Sequence, residues 1–244
     1  MSSSKEQYTS TLEPPIATPT HGAGGSFTVL AKTFIPHTTP SEVLSTIRDT
    51  GTWPHWNGFT PFFTFSPFPP SSLSPKTKSS NPESDIPAGK EGWLNLGSQG
   101  SMSVYMSGNG LVSGAKKSRM QDMVVTVLEP LSSSTTSTSP SSSPSSQLPE
   151  KNRKGYRIAW KALGYAHWQL HSERVTELTE IDEGDEGRKG TEYVCWETFG
   201  GVLAPVVKLA VGGTLRERFG EYAAGLRGFC VNRMREGEEE GGEE

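Results

Sequence analysis

Six side chains in this sequence have the chemistry to move a proton or steady a developing charge: Tyr105, Arg157, Tyr165, His167, His171 and Glu197. A histidine titrates near neutrality and can pass a proton in either direction, while an arginine can polarise a carbonyl. No G-x-S-x-G elbow and no G-x-x-x-x-G-K-[ST] loop is present, so neither a serine nucleophile nor a phosphate cradle is expected. The stretch "GNGLVSG" (108–114) has Ser113 where a dinucleotide fingerprint needs its third glycine, and it reads as a turn. Cys195 and Cys230 lie far apart in apolar contexts and read as buried free thiols.

His167 and His171 are the tempting pair. On a strand, positions four apart share a face. At about 3.3 Å per residue, however, their backbones stand roughly 13 Å apart, and imidazoles bound to one zinc each reach it at about 2.1 Å. Because "YAHWQLHSERVTEL" reads as a strand, no shared metal is expected, and no other cofactor either. What remains is acid–base chemistry in a cavity, with His167, His171 and Arg157 as the catalytic candidates. The competing reading of each is a strand residue that faces solvent or makes a structural hydrogen bond.

The elements that must position these groups can be read in order. "SFTVLAKTFIP" (26–36) is rich in β-formers. "TPSEVLSTIRDT" (39–50) opens a helix, with Thr39 at the N-cap, Pro40 at the first helical position and Glu42 completing a capping box. Strands are expected at 58–65, 92–106, 119–129, 156–162, 165–178 and 190–198. At the C-terminal end, Leu215, Phe219, Tyr222, Leu226 and Phe229 recur at helical spacing and give one broad apolar face. Pro205 and Gly212–Gly213 predict a broken entry, with the long helix beginning near Thr214. The order predicts an α+β fold with an antiparallel sheet of about seven strands.

Composition sets the remaining limits. The chain has 244 residues, 27 glycines and 18 prolines, and its mean hydropathy is −0.50. Residues 1–24 are polar and Pro/Gly-rich, and Ser/Thr/Pro tracts fill about 66–90 and 130–154. These cannot bury enough apolar surface to offset chain entropy and are expected to be disordered, as is the acidic tail 233–244. A single domain over 25–232 remains. The net charge of −4 argues against nucleic-acid binding. No run of about 18 apolar residues and no secretory or mitochondrial leader is read, so integral membrane association is not expected and the location is expected to be cytoplasmic.

The pieces "FIPHTTPSEVLSTIRDTGTWPHWNGFTP" (34–61), "AWKALGYAHWQL" (159–170) and "GTEYVCWETFGGVLAPVVKLAVGGTLRERFGEYAAGLR" (190–227) resemble the SRPBCC superfamily, the START-like or helix-grip fold. This superfamily includes polyketide cyclase/dehydrases and coenzyme Q-binding START-like proteins. Asp49, Trp53, Trp56 and Asn57 match its first joint, and Gly190, Thr191, Glu197, Phe199 and Gly201 its second. The resemblance implies a curved sheet gripping the last helix around an elongated cavity suited to a small hydrophobic ligand of lipid, isoprenoid or polyketide type. A cyclase/dehydratase working in the same cavity is the alternative. Phe59, Phe63, Trp93, Tyr105, Trp160, Phe199, Phe219 and Tyr222 are the candidate wall. Phe59, Phe63 and Phe65 are expected on one strand face, His55 exposed in its turn, and Glu197 as an anchor of the strand-to-helix joint.

Overall fold

A computed structural model of the chain describes residues 8–67, 86–108, 110–111, 119–131, 154–183 and 187–240, with side chains to 236. The Ser-rich stretches 68–85 and 132–153, and with them most of the two expected disordered tracts, lie outside the described residues. Eight strands make one antiparallel sheet: β1 Tyr8–Glu13, β2 Phe27–Pro36, β3 Phe63–Phe65, β4 Gln99–Val104, β5 Arg119–Pro130, β6 Gly155–Ala162, β7 His171–Asp182 and β8 Lys189–Gly200. Their order is β1-β2-β8-β7-β6-β5-β4-β3. Helix α1 (Pro40–Arg48) follows β2, and helix α2 (Ala204–Glu240) closes the chain. A curved antiparallel sheet holding a long C-terminal helix is the helix-grip fold that the family resemblance implied.

Helix α1 starts where its capping chemistry dictates. The Glu42 carboxylate accepts the Thr39 N–H at 2.7 Å, and the Thr39 hydroxyl accepts the Glu42 N–H at 3.3 Å. Val43, Leu44 and Ile47 are fully buried under it. The chain then turns through a short 3-10 segment, Trp53–His55. Trp53 Nε1 donates to the Ile47 carbonyl at 3.0 Å. The Asn57 side chain accepts the Thr60 N–H at 2.8 Å and donates to the Thr60 carbonyl at 2.9 Å. His55 is exposed. The aromatic turn is a packed corner, and α2 rests on it: a Cβ at Gly225 would come 2.2 Å from the Trp56 carbonyl oxygen, so only glycine admits the helix so close.

Several boundaries differ from expectation: the strand expected over 92–106 is confined to β4, and the one expected over 165–178 begins only at His171. The segment expected to be disordered up to residue 24 contains β1, whose polar "YTSTLE" lacks an apolar alternation but pairs with β2 along its length. Helix α2 begins at Ala204, ten residues before Thr214, and runs on to Glu240 through the start of the expected acidic tail. Pro205 stands in the first turn, where its missing N–H costs nothing. The two glycines cost about 1 kcal/mol each, too little to break a long helix. Finally, β3 is only three residues long, so Phe59 precedes the strand and does not share a strand face with Phe63 and Phe65.

Candidate functional site

The inner face of the sheet is set by cross-strand register. Trp160 of β6 pairs with Arg174 of β7, and Arg174 pairs with Glu197 of β8. Directly opposed residues share a face, so the three form a row beneath α2. They help to enclose a cavity of about 210 Å³, walled chiefly by Phe59, Met102, Val104, Met123, Trp160, Phe199, Val207, Val211 and Leu215. Arg119 and Gln121, at the exposed start of β5, also border it. A larger trough of 390 Å³ runs over β1, β2 and Arg227 of α2 past Lys32, Arg188 and Glu192. It is an open surface groove of mixed charge and lacks an apolar enclosure.

One buried ion pair stands in this largely apolar wall. Arg174 is 6% exposed. Its Nε donates to Glu197 Oε2 at 3.0 Å, and its Nη2 approaches the same oxygen at 3.0 Å. Aromatic rings surround the cation: Phe219 at 4.3 Å from Cζ, Phe59 at 5.3 Å, Trp160 and Tyr222 at 5.8 Å each. Burial opposes the charge, but the Glu197 carboxylate, aided by the weakly acidic Cys195, Tyr222 and Tyr193, outweighs it and holds the arginine above its ordinary pKa. The guanidinium is therefore a permanent cation in a low-dielectric wall. Desolvated contacts of a cation with ring faces add up to about 2 kcal/mol. Close by, the buried Tyr222 hydroxyl has no hydrogen-bond partner among the described residues. Burial pushes the thiols of Cys195 and Cys230 up, Cys230 to about 11, so neither is a ready nucleophile.

The predicted catalytic trio is elsewhere. Arg157 neighbours the inward Ile158 and points to the opposite, outer face. There its Nε and Nη2 bind Glu177 Oε1 at 3.0 and 2.6 Å, and its Nη1 binds Glu129 at 3.1 Å. His171 begins β7 on the same outer face, in register with Gly200. His167 is not on a strand at all. It lies in a turn closed by the Gln169 and Leu170 N–H groups donating to the Ala166 carbonyl, and Tyr165 is exposed beside it. The turn shortens the chain, so the rings of His167 and His171 stack with centroids 3.8 Å apart. The expected 13 Å separation assumed a strand through both, and the turn removes that assumption.

Of the predicted wall, Phe59, Trp160 and Phe199 line the cavity. Phe219 and Tyr222 are buried against Arg174 from α2. Tyr105 is buried next to Phe59, donating its backbone N–H to the Phe59 carbonyl at 2.9 Å. Phe63 packs edge-on to Trp53 and Phe65 on the sheet margin. Trp93 serves the α1 corner, where it sits 5.1 Å from Arg48 Cζ and 5.5 Å from Lys90 Nζ. Arg174 was missed. Its signal in the sequence was its place two positions before Thr176 on a strand, and parity alone did not say which way it pointed.

The fold and this site define a helix-grip protein with a small apolar cavity containing one buried ion pair. No family model matches the chain. Over 180 residues it is 30% identical to the oxopyrrolidines biosynthesis cluster protein O of Penicillium oxalicum (strain 114-2 / CGMCC 5302), an alignment covering 70% of this chain and 71% of that one. The chain belongs to the family of that protein. Among solved structures, the hypothetical protein jhp0584 of Helicobacter pylori aligns with a TM-score of 0.50 and 11% identity, over 82% of this chain and 86% of its own. A norcoclaurine synthase of Thalictrum flavum aligns with a TM-score of 0.42 and 5% identity, over 93% and 98%. The first of these likenesses bears on the fold alone, and the second is too loose to support an argument.

Proposed function

We propose that the protein, an SRPBCC-type helix-grip protein, holds a compact apolar metabolite in its internal cavity and fixes an acidic or carbonyl oxygen of that ligand against Arg174. The observation behind this reading is the buried Arg174–Glu197 pair in a largely aliphatic and aromatic wall, with Arg119 and Gln121 at its exposed border. Size narrows the class. A cavity of about 150 Å³ accepts benzene, and pockets for drug-sized ligands begin near about 300 Å³. A volume of 210 Å³ thus favours a ring-sized or short-chain ligand over an extended lipid. Calorimetric titration with a ring-sized aromatic acid such as benzoate should show one saturable site. Arg174→Met should weaken it about tenfold or more, the value of a desolvated charge contact. No saturable site, or equal binding by the variant, would rule the reading out.

A second reading, an acid–base catalyst of cyclase or dehydratase type, is supported by the same pair and by the biosynthetic-cluster name of the relative. In it Arg174 would polarise a ligand carbonyl while Glu197 handled the proton. Glu197→Gln would then abolish turnover of the bound metabolite without loss of binding. Retained turnover would leave the binding role alone.

A further inference from the structure

We propose that His21, His167 and His171 form a site for a divalent transition-metal ion, zinc by availability, that fastens the N-terminal segment to the entry of β7. The three come from two distant parts of the chain, yet one ring nitrogen of each lies within 4.8 Å of those of the others. His167 Nε2 stands 3.2 Å from His21 Nδ1. Two nitrogens bound tetrahedrally at about 2.1 Å are themselves about 3.4 Å apart, so this pair is already at chelating separation. The third nitrogen must close by as much as about 1.4 Å to reach that separation. Because the His167 and His171 rings stack at 7°, one of them turns out of the stack to aim its lone pair at the ion.

The surroundings fit a ligating cluster. Nδ1 of His171 donates to the His167 backbone carbonyl at 2.6 Å. That bond fixes the tautomer and leaves Nε2 with its lone pair, the arrangement common to metal-bound histidines. The His171 ring lies over Gly200, where a Cβ would approach Nε2 to 2.3 Å; the missing side chain makes the cradle. His21 is held in place by its neighbour. The Thr20 N–H and hydroxyl donate to the two oxygens of buried Glu173 at 2.8 and 2.7 Å, and Thr126 donates to the same carboxylate at 2.7 Å. Glu173 is therefore a buttress and not a fourth ligand.

Three imidazoles without thiolate or carboxylate select zinc, copper or nickel over magnesium or calcium. They also leave one position of a tetrahedron for water, on the side where His167 is exposed. The Ile16 side chain packs on the outer apolar cluster of Leu30, Ala159, Val175, Val194 and Trp196, so an ion at His21 would clamp this covering segment.

Calorimetric titration of the full chain with zinc chloride should give one ion per chain, undisturbed by millimolar magnesium. His21→Gln, His167→Gln and His171→Gln should each weaken it about tenfold or more. His167 is exposed, so its variant tests the ligand without risk to the fold. Saturating zinc should slow backbone hydrogen exchange over residues 16–24 in the wild type and not in His167→Gln. Equal affinity in the wild type and all three variants would overturn the site, as would unchanged exchange over 16–24 in zinc-saturated wild type.

Discussion

The two faces of one sheet carry similar charged residues and use them differently. On the inner face, Arg174 meets Glu197 among rings and bounds the cavity. On the outer face, Arg157 is almost as buried, but it is consumed by two carboxylates, Glu177 and Glu129. Glu173, next to Arg174 in sequence, faces outward and is held by threonines. A shift of one position along a strand thus separates a group that borders the cavity from one that braces the outer face. Burial and charge do not by themselves mark a site; what matters is whether the partners of the group leave room for another molecule.

That contrast is most sharply broken by paired substitution. Arg174→Met and Arg157→Met should each destabilise by about 3 kcal/mol or more, because each strands a carboxylate in a largely desolvated setting; urea unfolding measures this. Only Arg174→Met should also weaken benzoate binding, and a loss of binding in both would erase the distinction between faces. Met123→Trp should come next. Overpacking costs about 1–3 kcal/mol, and the bulk should fill the cavity that Met123 lines, removing probe binding while leaving circular dichroism unchanged. Ile16→Ala should have the smallest effect, about 1 kcal/mol, because the side chain is only half-buried on the outer cluster. Its binding isotherm should match the wild type; a weakened one would show that the outer cover and the cavity are coupled.

The order of elements was legible because capping chemistry and aromatic joints are local. Thr39, Pro40 and Glu42 mark a helix start from their own side chains, and Asn57 closes its turn on a residue three positions away. The strand β1 was not legible, since "YTSTLE" gains its place only from β2. The site was harder still. In "HSERVTEL", charged and apolar residues fall on both parities, with Glu173, Val175 and Glu177 outward and Arg174 and Leu178 inward, so alternation gives no direction. A bulge between Val125 and Val127 shifts the register of β5 as well, and Thr126 there supplies a hydroxyl to Glu173. The histidines were misplaced for a different reason: the turn at 166–169 sits inside a run that looks continuous, and two imidazoles judged too distant to cooperate became stacked neighbours.

The two margins of the sheet have a consequence for how the molecule behaves in a crowd. One edge is β3, three residues long, and the other is β1, whose six residues include three threonine or serine side chains and a glutamate. Short or polar edges present few free backbone donors and acceptors to a passing strand. A sheet of eight strands that never closes into a barrel would otherwise be a template for edge-to-edge aggregation. Here one end is brief and the other mostly polar, which disfavours recruitment of another chain.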